Sequence, residues 1–247
     1  MDPEGRGERR RNGGASEGSR ADDPGGWEGL RWPGPWAPAA ALVVALATGF
    51  VSALILTTIL ARHPETELVA NLGANLVTHA ALVSASLALV AAANPGRNII
   101  ALAARFDPAD WRLVLALVLF APPAGLLLAA AATEFGLEMD ETRMALLHHP
   151  IIMLAGVTLG PAAEEAWGRG LVYGALRRFG PGVALAGTTL VTAGIHWSAP
   201  QILATLPAMF GLTVIRHLTG RLTPSIVAHS AYNAVLMLLV VAGEPPG

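Results

Sequence analysis

The chain has 247 residues, of which 53% are hydrophobic and 14% charged, with a formal net charge of -2 and a mean hydropathy of +0.51. This composition marks a polytopic helical membrane protein and gives no ground for a nucleic-acid partner. The absence of cysteine excludes disulfides, thiolate metal sites and a cysteine nucleophile, and all sixteen basic residues are arginine, which together with the Ala and Gly excess suggests a GC-rich bacterial genome.

Residues 1–36 are rich in Gly, Arg, Asp, Glu and Pro and too poor in aliphatic side chains to offset ordering entropy, so a disordered tail is expected. The Arg9-Arg10-Arg11 run is not followed closely by an apolar stretch, so neither a twin-arginine signal nor a cleavable signal peptide is expected. Trp32 and Trp36 stand where interfacial aromatics anchor a first span. Residues 37–242 read as an all-α transmembrane bundle with about seven spans: Ala37 to Ala61, Val69 to Ala93, Trp111 to Thr133, Ile151 to Leu176, Val183 to Trp197, Ile202 to Ile215 and Leu222 to Val241. Pro122 and Pro123 should kink or break the third span, and Pro161 should loosen the fourth. Ile99, Ile100, Leu102 and Phe106 suggest a short interfacial helix between spans two and three.

Seven spans put the tail arginines, Arg97, Arg105, Arg112, Arg177, Arg178, Arg216 and Arg221 on one side and only Arg62 and Arg143 on the other. The positive-inside rule then places the N-terminus in the cytoplasm of a bacterial plasma membrane.

The chemistry concentrates in residues 160–170, where two carboxylates and a guanidinium interrupt an apolar run. Intramembrane charge of this density is a functional-site hypothesis by default. Glu165 and Arg169, four apart, face each other on a helix, whereas Glu164 points about 100° away and is free to take and return a proton. The bland alternative is an ion pair that locks two helices. Downstream, Thr192 and His196 share one face of span five, and His229 and Asn233 share one face of span seven, where two donors on one stripe suit an oxyanion. Interhelical polar contacts explain either cluster taken alone. At about 1.5 Å per residue, Glu164, His196 and Asn233 lie roughly 16 to 21 Å from the arginine-rich ends of their spans and His229 roughly 10 Å, so one cavity can hold all four.

These motifs resemble the CPBP intramembrane proteases, the family of CAAX prenyl proteases and bacteriocin-processing or immunity proteins. Its marks, E-E-x-x-x-R, F-x-x-x-H and H-x-x-x-N, correspond to Glu164-Glu165 with Arg169, Thr192 with His196, and His229 with Asn233, and the Thr219–Ser225 lead-in is similar too. The resemblance covers about residues 150–240. Two positions depart from it: Thr192 replaces a Phe, and Gly168, beside Trp167, replaces another. The resemblance implies an intramembrane endopeptidase in which Glu164 with His196 activates a water, His229 with Asn233 stabilises the oxyanion, and Glu165 with Arg169 holds the geometry. It implies a peptide or membrane-protein substrate and no cofactor, with zinc on Glu164, His196 and His229 as the alternative. No H-E-x-x-H is present, which favours the metal-free form. A proton-coupled transporter and a catalytically silent immunity or scaffold protein are the competing functions.

The remaining polar groups have plainer readings. Asn71, Asn75 and His79 share a face of span two and suit interhelical packing or a cavity rim. His148, His149, Glu134, Glu138, Asp140 and Glu141 read as a solvated outer surface.

Overall fold

A computed structural model describes residues 30–60, 67–134, 150–196 and 198–242, and every regular element among them is helical. The tail before residue 30, Arg62, Arg143, Glu138, Asp140, Glu141, His148, His149 and Trp197 lie outside the described residues, and Asn71 is described by its backbone alone.

The helices are α1 (Ala37–Leu60), α2 (Glu67–Ala93), α3 (Ile99–Ala103), α4 (Trp111–Glu134), α5 (Pro150–Val157), α6 (Leu159–Glu165), α7 (Tyr173–Arg177), α8 (Pro181–Gly194), α9 (Ala199–Thr219) and α10 (Thr223–Ala242). A π-helical segment, Ala166–Val172, joins α6 to α7 without a break. Four helical stretches are long and apolar enough to cross a membrane: Ala37–Leu56, Gly73–Ala93, Pro108–Glu134 and Ala199–Thr219. The last exceeds the short sixth span expected from sequence, because Ser198 caps its start and Pro200 occupies its first turn. The count of seven is not established by these helices.

Two expectations about proline resolve differently. α4 runs through Pro122 and Pro123 without interruption. The fourth span is divided at Thr158, three residues before Pro161, and it is the π-helical segment that then carries the chain past the carboxylates. Such segments insert a residue into the helix and recur at functional sites.

Loops bearing arginine meet at one end of the bundle. Arg31 donates its backbone N–H to Asn94 Oδ1 (2.7 Å) and receives Asn94 Nδ2 on its carbonyl (2.7 Å). Residues 30–36, grouped with the tail by composition, therefore pack on the helices, with Leu30 buried and Trp32 against Gly174. Arg221 Nη2 pairs with Asp110 Oδ1 at 2.7 Å, and Thr223 Oγ1 donates to the Ala103 carbonyl. Gly220, at φ 64°, ends α9 in the left-handed conformation and turns the chain into α10.

Apolar side chains form two cores. One gathers Leu82 and Val90 of α2 with Ala163, Trp167 and Leu171. The other gathers Val114 and Leu117 of α4 with Met209, Leu212, Ala228 and Tyr232. The 159–177 helix lies between them and turns its charged face to the second.

Candidate active site

The seam between the cores holds four ionisable side chains. Glu165 and Arg169 are fully buried and joined by Oε1 to Nη1 at 2.9 Å, the i,i+4 pairing expected from their spacing. Arg169 Nη2 also donates to the Met209 carbonyl at 2.7 Å, which ties the π-helical segment to α9. The same Glu165 oxygen accepts from His229 Nδ1 at 2.9 Å. A carboxylate only accepts, so the proton sits on Nδ1, and the ring is held with Nε2 facing Glu164. Nε2 lies 3.9 Å from Glu164 Oε2, a separation that suits an intervening water better than a direct bond. Glu164, at 25% side-chain exposure, is the reachable member of the group.

The structure sorts the expected partners differently from the sequence. His229 joins both glutamates, whereas His196 makes no ion pair with Glu164 among the described residues. His196 sits in the turn after α8, its Nδ1–H donating to the Ala193 carbonyl at 3.2 Å, which leaves Nε2 as an acceptor. It lines an apolar cavity of about 510 Å³ together with Asn233, Tyr232, Gln201, Thr205, Gly125 and Leu126. Asn233 Nδ2 donates to the Gly156 carbonyl at 2.8 Å, anchoring α10 to α5 and leaving one amide N–H for other use. His229 and Asn233, one turn apart on α10, thus connect the ionic cluster to the cavity.

No group of three His, Asp or Glu side chains among the described residues is placed to hold a metal ion.

One residue escaped the sequence reading. Arg216, counted there among surface charges, is 1% exposed, and its Nε donates to the Arg169 carbonyl at 3.1 Å. Its guanidinium lies 5.3 Å from the Tyr173 ring centre, and the Tyr173 hydroxyl is 2.8 Å from His217 Nδ1. Helix α9 therefore accepts one arginine bond from the π-helical segment and returns one to it. The available signal was a charge seven residues after Met209, on the same face of an apolar helix.

The two departures from the family pattern touch. A Cβ built on Gly168 would stand 2.6 Å from Thr192 Cγ2, so the missing side chain at 168 is the space that the threonine methyl fills.

No match is found among curated proteins or among solved structures. Residues 146–235 match the family model described as Rce1-like, type II CAAX prenyl endopeptidase, a span that includes the whole ionic cluster and both cavity-lining motif residues. One of the four apolar membrane-length helices, Ala199–Thr219, lies within this matched segment and the other three precede it, in keeping with an integral membrane protein. Residues 146–235 are thus similar to the Rce1-like family, which is consistent with the CPBP/CAAX protease resemblance of the motifs.

Proposed function

We propose that the protein is an intramembrane endopeptidase in which Glu164 activates a water without a metal. The observation that carries this reading is the Glu165 oxygen that binds both Arg169 and His229 and fixes the imidazole with Nε2 toward the one accessible carboxylate. Glu164 takes a proton from the water as the C–O bond to the peptide carbonyl forms. His229, held by Glu165, and the free N–H of Asn233 stabilise the oxyanion. The C–N bond then breaks as Glu164 returns its proton to the leaving amine. His196 acts from the cavity wall, across the bound peptide and water.

The cavity's apolar lining suits a hydrophobic peptide segment, such as a membrane-protein terminus, a leader peptide or a signal-peptide remnant. The N-terminus is proposed to be cytoplasmic, on the arginine asymmetry of the loops in the sequence.

The test uses purified protein in micelles with two quenched fluorescent probes, a farnesylated C-a-a-X peptide and an unprenylated apolar peptide. Wild type cleaves at least one, and Glu164→Gln loses about 10² to 10⁴ in kcat while keeping its fold by circular dichroism. Wild-type turnover by the Gln variant overturns the assignment. Comparison of membrane-protein termini by mass spectrometry, with and without the gene, identifies the natural substrate.

A further inference from the structure

We infer that His79 of α2 is a second imidazole at the Glu164 face, its Nε2 accepting a hydrogen bond from the water that Glu164 deprotonates. This rests on the proposed role of Glu164. His79 Nδ1 lies 2.9 Å from the Asn75 carbonyl oxygen. A carbonyl only accepts, so Nδ1 holds the proton and Nε2 keeps its lone pair. That nitrogen makes no other hydrogen bond among the described residues.

Nε2 is aimed at α6, 3.9 Å from where a Cβ on Gly160 would stand. Gly160 precedes Glu164 by one turn and shares its face. Helical side chains lean toward the N-terminus, so the Glu164 carboxylate extends over the patch that Gly160 leaves bare. Among the described residues His79 and Glu164 form no ion pair, and a water is proposed to bridge them. Other elements packed on α2 compete little for this imidazole. α1 and α3 contain no ionisable side chain, Glu165 and Arg169 are engaged with each other, and His229 faces the two glutamates.

The geometry gives the water two acceptors. One O–H points to Glu164 and the other to His79 Nε2, which directs an oxygen lone pair at the peptide carbonyl. Glu164 takes its proton as the C–O bond forms and returns it to the amine as the C–N bond breaks. His79 Nε2 accepts the remaining O–H throughout.

The decisive measurement needs no turnover. In full-length protein labelled with ¹⁵N-histidine, Glu164→Gln should move the ¹⁵N shift of His79 Nε2 and leave its Nδ1 shift unchanged. Identical Nε2 shifts in the two proteins overturn the inference. With the farnesylated peptide as probe, His79→Ala should lower kcat about 10-fold to 100-fold with KM unchanged, and free imidazole should restore part of the loss. His79→Gln should behave as His79→Ala does, without response to imidazole. Full kcat in His79→Ala also overturns it. Full turnover by Glu164→Gln would instead remove the role of Glu164 itself, and a wild type that cleaves neither probe leaves the shift comparison to decide the placement of His79.

Discussion

Replacing Glu165 by Ala removes one oxygen that serves two donors. Arg169 stays fully buried and keeps its bond to the Met209 carbonyl, but its charge loses the only carboxylate within bonding distance among the described residues. Breaking a buried pair from one side costs about 3 to 5 kcal/mol. The freed His229 Nδ1 adds about 1 kcal/mol for a lost hydrogen bond, so Glu165→Ala should lose about 4 to 6 kcal/mol. Glu165→Gln keeps an acceptor and should lose about half of that. The double variant Glu165→Ala with Arg169→Met buries no orphan charge and should be more stable than Glu165→Ala alone, because apolar replacement of a buried pair is often close to neutral. Reversible unfolding in mixed micelles, followed by circular dichroism, measures all three. A loss below about 1 kcal/mol for Glu165→Ala, or a double variant no more stable than the single one, would refute the account of Glu165 as the joint between Arg169 and His229.

Arg216→Met withdraws the side-chain donor from the Arg169 carbonyl and should cost about 2 kcal/mol in the same unfolding assay, with Arg216→Lys recovering part; equal stability of Met variant and wild type would count against the clamp. Elemental analysis of active protein should find zinc well below one ion per chain, and activity should survive strong chelators, since the histidines and glutamates are not gathered as a three-donor set. Activity lost on stripping and restored by zinc would reverse that expectation. For topology, single cysteines at Arg178 and Ala199, both exposed and at opposite ends of α8, should differ toward an impermeant maleimide on intact cells, with only position 199 labelled. Ser225 is fully buried and would report nothing.

Spacing alone disclosed part of the site. The pairs Glu165 with Arg169 and His229 with Asn233 follow from the i,i+4 geometry of one helix, and the family motifs pointed to the same six residues that the seam and the cavity wall contain. Helical class and the apolar segments were equally legible, because burial in lipid demands long uncharged runs. What spacing could not give is the partnering between helices. Whether His229 turns to Asn233 or to Glu165 depends on the rotation of α10 against α6, which no local pattern encodes. Arg216 was misplaced for the same reason: an arginine near a helix end reads as an interfacial charge until a carbonyl two helices away in sequence turns out to face it. The π-helical segment was invisible too, since one extra residue per turn leaves no signature in the alternation of apolar and polar residues.

The contact between Gly168 and Thr192 constrains how this sequence can change over time. A bulky side chain at 168 would meet the Thr192 methyl at 2.6 Å from its first carbon, in a region where the threonine is itself buried. Substitution at 168 therefore needs room made at 192 first. Conversely, Thr192→Ala or Thr192→Gly opens a void that only a larger residue at 168 can fill, at a cost of about 1 kcal/mol for the missing methyl. The two positions form an epistatic unit: each order of substitution passes through an intermediate that is either overpacked or hollow. Drift along this interface should proceed by paired exchange, and a library that randomises both positions together should recover folded proteins that no single-site scan contains.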